Sequence, residues 1–444
     1  MPQPPSAVSR DEPVIRDRGD ACPGALRLHA ADDGYLARVR IPGGALTARQ
    51  GSLLALAADR FGDGHLELTS RGNVQVRGLA EGCGAGLARL LDSAGLLPAP
   101  GHERVRNIVA TPASQDVLPW VRELDRLLCA NARVTALSGR FLFAFDDGRG
   151  DVAALEPDIT VLGRPGAGER ALVRLGPAAS GAVAVAAQDA PRAALLAAEY
   201  FLDAADAAGT RAWRVSELPP EHGLDEGEFG ARLAAAGIEA TREAAVDWPY
   251  CPPPQPWGRG AGPGPRGALC VLPPLGRLTT EQWRVLVRVA EHGDGLRITP
   301  WRTVILPGAP LGEPVDGPAL LEAAGLVVSP DSPWLSVTAC TGRPGCAKSL
   351  ADVRADARAL VERALGPLPV HWSGCERRCG HPRGTQWVDV VATQDGYRLS
   401  AHGQALSHQP YQTHQPYQQG LQDLADALTA AREIPSSPQS PKTQ

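Results

Sequence analysis

The strongest constraint on this chain is that it repeats itself. Residues 46–50 read LTARQ and residues 278–282 read LTTEQ. Each sets Thr three places before Gln at the head of an apolar-periodic run, the pattern of a capping box that opens a helix. Thr47 with Gln50, and Thr279 with Gln282, are the expected caps. A Gly/Asp turn follows each helix, FGDGH in one copy and HGDGL in the other. Next comes a short strand that reaches Thr, in LELTSRGNVQVRG from Leu66 and in LRITPWRTVILPG from Leu296. A second helix ends in LLDSAGLL (90–97) or LLEAAGLV (320–327), and from strand to second helix the offset is a constant 230 residues. A repeat of this kind means two copies of one fold in one chain.

The similarity runs on. NIVATP (107–112) matches SVTACT (336–341), and LSGRFLFAF (137–145) falls near WSGCERRCG (372–380). On this alignment Thr111 and Arg140 stand where Cys340 and Cys375 stand later, so the first half lacks the cysteines of the second. The expected fold class is α+β: two homologous halves related by a pseudo-two-fold axis, with a ligand cleft between them. The expected divisions are residues 21–100 and 101–245 for the first half, and 268–333 and 334–433 for the second. A Pro/Gly-rich linker over 246–267 joins them, and the ends, 1–20 and 434–444, read as disordered. The doubled HQPYQ (408–412, 414–418) reads as a polar low-complexity repeat.

At 444 residues the chain exceeds one ordinary core, and its 43% apolar content is enough to build several. A net charge of −5 gives no support to a general nucleic-acid or membrane-surface role. The start shows no apolar signal region and no 18-residue apolar run occurs, so a cytoplasmic protein with reduced thiols is expected. Nine cysteines in so large a chain do not read as a disulfide scaffold. Lys348 and Lys442 are the only lysines; the other positive side chains are Arg. Arg suits planar recognition of carboxylates, although a genome-wide Arg bias gives the same composition.

Cys340, Cys346, Cys375 and Cys379 follow C-x5-C and, after a gap of 28 residues, C-x3-C. Inert buried thiols are one reading. Structural zinc is another, but its knuckles use C-x2-C or C-x4-C spacing. Four thiolates also hold a [4Fe–4S] cluster, and the neighbours suit that best. Gly342, Pro344 and Gly345 lie between the first pair, and Gly374 and Gly380 flank the second. Backbone N–H groups near such glycines can hydrogen-bond cluster sulfurs.

C-x5-C then C-x3-C in the second of two homologous halves resembles the sirohaem-dependent nitrite and sulfite reductases. LTSRGNVQVRG (68–78) looks like their first-half strand and turn, where an Arg reaches the tetrapyrrole pocket, and the resemblance spans roughly residues 20–430. It implies that each half is a ferredoxin-like α/β module followed by a cluster-type module. It also implies that Cys379 takes the position that bridges to sirohaem iron. Within this superfamily, CPGALRLHAADDGYLARVRIPGG (22–44), LRITPWRTVIL (296–306) and SGCERRCGHP (373–382) resemble the precorrin-3B synthases. One departure from the reductases is chemical. Sulfite reductases carry RKFK, two Lys that bind the sulfur oxyanion, where this chain has GRFLF (139–143), with Arg140 and Leu142. A buried dianion needs paired charge, and Leu supplies none.

The precorrin-3B synthase resemblance implies a monooxygenase. Precorrin-3A would be hydroxylated at C20 with O2, and a γ-lactone would close from the ring A acetate. The cluster would feed electrons, a mononuclear non-haem iron would activate O2, and NADH would deliver electrons through a partner redox protein. The alternative is a sirohaem nitrite or sulfite reductase. Cys340, Cys346, Cys375 and Cys379 are the expected cluster ligands. The carboxylates of precorrin-3A call for Arg in fork geometry, and Arg71, Arg77, Arg140, Arg297 and Arg302 are the candidates, with Asn73 as a polar neighbour. His381 and Arg140 are the catalytic candidates, although a loop His more often makes a structural hydrogen bond. GCGAGLA (82–88) lacks the G-x-G-x-x-G spacing and reads as a helix entrance. DDGRGD (146–151) is too short for an EF-hand loop and reads as a turn. A monomer is expected, since the pseudo-dimer is already internal.

Overall fold

The computed structural model describes residues 20, 22–163, 169–249, 268–312, 315–382, 386–401, 404–405 and 417–433. The two ends, 1–19 and 434–444, most of the linker and nearly all of the HQPYQ repeat lie outside the described residues.

Both capping boxes form. Thr47 Oγ1 accepts the Gln50 N–H at 3.2 Å and Gln50 Oε1 accepts the Thr47 N–H at 3.0 Å, opening helix Ala48–Phe61. Thr279 and Gln282 repeat both bonds at 3.2 and 3.0 Å ahead of helix Thr280–Ala290. Each Gln has a further task. Gln50 Nε2 donates to Ala94 O and Gln282 Nε2 to Ala324 O, so each box also holds the C-terminal end of its second helix. GCGAGLA does open a helix, Gly84–Ser93.

The two ferredoxin-like halves are not separate bodies. Short strand Ala45–Leu46, just ahead of the first box, pairs with Leu296–Ile298 of the second half. Its counterpart Arg277–Thr279 pairs with His65–Leu68 of the first half. Each half thus lends a strand to the other's sheet. The helices behind the sheets close one shared apolar core that includes Leu54, Leu66, Val76, Trp283, Leu286 and Leu296. Trp283 Nε1 donates to Gly51 O at 2.8 Å across the axis. The helices meet at Gly51, where a Cβ would come within 2.8 Å of Val287 Cγ2.

Two further modules flank this unit and share a connectivity. In the first, parallel strands Ile108–Ala110, Phe143–Asp146 and Ile159–Leu162 are followed by antiparallel Arg170–Leu175, Ala182–Ala186 and Ala240–Glu243. In the second, Val337–Ala339, Val370–Ser373 and Val388–Thr393 run parallel and Gly396–Ala401 returns antiparallel. The modules pack across the molecule. Arg354 of the second meets Glu67 in the first half's sheet, and Gln115 of the first meets Asp294 beside the second half's sheet.

The registers correct one alignment. Ile108 pairs with Phe143 in the first module, and Val337 pairs with Val370 in the second. Counting forward, Thr111 does correspond to Cys340. Arg140 does not correspond to Cys375; the loop beginning at Asp146–Asp147 does. Hydrogen bonding agrees, since Asp147 N–H donates to Thr111 Oγ1 at 3.2 Å as Gly374 N–H donates to Cys340 Sγ at 3.2 Å. The short SG match was a coincidence, overruled by the ladder. DDGRGD is a turn built on one carboxylate: Asp146 accepts N–H bonds from Gly148, Gly150, Val152 and Ala153.

Candidate functional site

The loops carrying the two cysteine pairs lie side by side. Cys340 N–H donates to Trp372 O at 2.9 Å and Leu350 N–H to Gly374 O at 2.8 Å. The Cys340 thiol is pushed up by burial, while N–H groups of Gly374 and Gly342 pull the other way; Cys379 and Cys375 are near enough to raise it further. Cys340, Cys346 and Cys375 are half-buried, Cys379 is exposed, and all four are free thiols. Among the described residues no three His, Cys, Asp or Glu side chains gather as ligands of a single metal ion. A cube takes one thiolate at each corner and is fed by N–H donors such as that of Gly374. The donor set fits it.

Beneath these loops lies a polar group that spacing alone did not reveal. His371 and Asp389 are neighbours in the ladder, and Ser373 lies two residues on, on the same face. Among the described residues, Ser373 Oγ and Asp389 Oδ1 are buried without hydrogen-bond partners, and His371 Nε2 is buried with no well-formed one. His371 Nδ1 is 2.8 Å from Thr338 Oγ1. Burial first, then the charge of Arg302, press this imidazole down to about 3, so it is neutral.

The sheet of the first half presents a charged face. Strand registers set Arg38, Gln75, Glu67 and Arg277 in one row across it, with apolar Ala37, Val76, Leu66 and Leu278 on the core side. Arg40 continues the Arg38 face at i+2. Arg40 is 2% exposed, with Nε and Nη1 unpartnered among the described residues. Nη2 donates to Gly139 O at 3.1 Å, and Arg71 Nη1 reaches the same carbonyl at 3.3 Å. Burial and then Arg38 and Arg71 lower Arg40 to about 9; burial and then Arg214 lower Arg71 to about 10. Glu103 offsets part of the Arg40 charge and Asp158 part of the Arg71 charge, and the group as a whole remains rich in positive charge. Asp20, at the end of the segment expected to be disordered, is anchored here by accepting the Gly139 N–H at 2.6 Å. Arg38 and Arg40 were missed by the sequence reading. The alternation in ARVRIP, two Arg on one strand face, was the available signal.

The remaining candidates fall in different places. Arg302 adopts φ 61°, a left-handed conformation, where the first half has Gly72 at φ 65°. A Cβ on Gly380 would lie 3.3 Å from Arg302 Nη2, so the guanidinium abuts the cysteine loop. Among the described residues it makes no ion pair, and left-handed strain of about 1–2 kcal/mol on a non-Gly residue is a mark of functional placement. Asn73 is a buried strut: Oδ1 accepts the Ile41 N–H and Nδ2 donates to Asn107 Oδ1. Arg77 is occupied by Asp33 and Gly345 O. Arg297 Nη1 bonds Leu296 O and Asp294 O, its Nε is buried without a partner among the described residues, and Arg122 lies near enough to lower it further after burial. Arg140 is exposed and lies over Trp213, 4.8 Å from its centroid. His381 is exposed, stacks on Trp387 at 5.1 Å and is 2.8 Å from Pro382 O through Nδ1.

The family model of the nitrite/sulfite reductase ferredoxin-like half domain matches residues 29–92 and 263–313, one stretch in each half. The structure of the Mycobacterium tuberculosis NirA protein superposes with a TM-score of 0.63 over 86% of this chain and 79% of that one, at 18% identity. Each half of the chain thus carries a stretch similar to that half domain, and the chain shares the fold of the NirA protein. It is 26% identical over 401 residues to a precorrin-3B synthase of Sinorhizobium sp, covering 88% of this chain and 84% of that protein. It is 28% identical over 398 residues to a ferredoxin–nitrite reductase of Synechococcus elongatus, covering 79% and 74%. The two identities are too close to choose between them. No helix among the described residues is long and apolar enough to cross a membrane.

Proposed function

We propose that this chain is a monooxygenase of the precorrin-3B synthase type, which hydroxylates precorrin-3A at C20 with O2 and closes the γ-lactone. One observation carries the choice. Leu142, where the sulfite reductases place an oxyanion-binding Lys, is 3% exposed and sits in an apolar cluster with Val109, Ala144 and Val152, against which Trp301 packs. A buried apolar side chain in place of a cation leaves a small bound dianion such as sulfite without a paired charge. The carboxylates of precorrin-3A are matched by Arg40 and Arg71 on one side and Arg302 on the other. These guanidiniums bind and orient; Arg77 and Asn73 are engaged elsewhere. Cys340, Cys346, Cys375 and Cys379 would hold the [4Fe–4S] cluster, which supplies single electrons when bound. The electrons would come from NADH through a partner redox protein.

The test is to purify the protein without oxygen and incubate it with precorrin-3A, a reductant and isotopically labelled O2. The expected product carries one labelled oxygen. A stoichiometric iron tetrapyrrole released by acid–acetone extraction, with turnover of nitrite or sulfite, would overturn the reading in favour of the reductase. That second reading draws on the 28% identity to the nitrite reductase.

A further inference from the structure

Arg77 lies on the charged sheet face, in strand Val74–Leu79, and is 6% exposed. Its Nε and Nη2 each meet an Asp33 carboxylate oxygen at 2.9 Å, a two-pronged ion pair. Nη2 also donates to Gly345 O at 2.8 Å, next to Cys346 and 268 residues along the chain. Asp33 belongs to the turn between strands His29–Ala31 and Gly34–Val39, and the preceding Asp32 carboxylate accepts the Ala347 N–H. The fit is close: a Cβ on Gly345 would stand 2.9 Å from Asp33 Oδ2 and 3.1 Å from Arg77 Nη2. The other end of the same loop is tied as well. Arg354 Nε donates to Cys340 O at 3.2 Å while its Nη1 pairs with Glu67 at 2.5 Å.

The geometry points to Arg77, with the Asp32–Asp33 turn, as the device by which the first half positions Cys346. Arg77 is therefore a positioning residue for the cysteine loop rather than a binder of substrate carboxylates, because the edge it would offer a carboxylate is taken by Asp33. Burial opposes its charge, but Asp33, Glu67 and Asp63 outweigh that and hold it above its ordinary value. The cofactor consequence rests on the cluster reading of the four cysteines; the positioning of the loop does not.

Lys348 allows the two to be tested apart. It is exposed, in the tied loop, and the only other lysine is Lys442. Endoproteinase Lys-C acting on the metal-free full chain should cut the wild type slowly at Lys348. Arg77→Gln should be cut there about tenfold faster or more, and Asp32→Ala, at an exposed turn, should move in the same direction if Arg77→Gln fails to fold. Thermal melting separates local release from global unfolding. After iron and sulfide reconstitution, Arg77→Gln should lose iron to a chelator faster than wild type and give the EPR signal of a three-iron species, with partial rescue in Arg77→Lys. Cleavage of both folded variants at the wild-type rate overturns the inference. A wild type that takes up no cluster overturns the cluster reading alone, since the cleavage result stands without it.

Discussion

Arg40 illustrates what a functional residue costs a fold. Among the described residues two of its three nitrogens have no partner, and neighbouring Arg38 and Arg71 repel it more than Glu103 attracts it. An Arg keeps its proton at neutral pH, so the cation is carried as strain. Arg40→Met should therefore raise the stability of the ligand-free protein by roughly 1–3 kcal/mol, since removing a buried charge that Glu103 only partly offsets is favourable. The same change should weaken macrocycle binding about tenfold or more, and denaturant melts with a binding titration read both. A loss of stability would show that Arg40 is a structural strut. Asp151 carries a different strain, in the loop that corresponds to the Cys375–Cys379 loop. Burial, then the charge of Asp146, raise it from 3.8 to about 6, with the Thr111 hydroxyl opposing. The folded state then holds the proton more tightly than the unfolded one, so stability falls as pH rises from about 4 to about 6 and stays lower above. Asp151→Asn should gain about 2 kcal/mol at about pH 7.5, and the gain should vanish near pH 4 in urea melts. Asp151 gave no signal in sequence, and the ARVRIP alternation gave the face of Arg40 but not its burial, because burial of a charged side chain depends on what a distant segment lays over it. Ser138–Gly139 does this for Arg40, about a hundred residues on.

At the scale of elements, local signals were readable and long-range pairing was not. Thr47, Gln50, Thr279 and Gln282 announced their helices because a capping box is contained within four residues. The exchange of Ala45–Leu46 and Arg277–Thr279 between halves could not be read, since short strands find partners only through tertiary contact. The same limit explains Arg140: a short sequence match suggested it for the place of Cys375, and the parallel ladder from Phe143 gave that place to the loop after Asp146. The exchange makes a prediction at Gly44. Its φ is 66°, and a Cβ there would stand 1.9 Å from Ile298 O, a backbone atom of the other half. Gly44→Ala should destabilise by about 3 kcal/mol or more, since neither the conformation nor the carbonyl can yield. Gly64→Ala is the control. Gly64 has φ 75° and open space around its missing Cβ, so only the conformational term of about 1 kcal/mol should appear. Equal losses would show that the halves are less closely joined at Gly44 than the pairing implies.

For the molecule as a whole, duplication has produced one body from two halves. The strand exchange, the shared core around Trp283 and the crossed packing of Arg354 on Glu67 all put contacts between halves where separate domains would have solvent. If residues 1–249 were expressed alone, Leu66 and Val76 would lose the covering helix Thr280–Ala290, and strand His65–Leu68 would become a bare edge. The fragment 268–444 would lose the Asp32–Asp33 turn from its cysteine loop and the Ala45–Leu46 strand from its sheet. Each fragment alone should therefore aggregate or lack a cooperative melt. The two expressed together should copurify as a one-to-one complex whose near-ultraviolet spectrum matches that of the intact chain. Because the arginines lie in the first fragment except for Arg302, and the cysteines lie in the second, ligand binding and iron loading should both return only on reassembly. Two fragments that melt cooperatively when apart would show that the exchanged strands are ornament on independent domains, and that the site does not depend on the union of the halves.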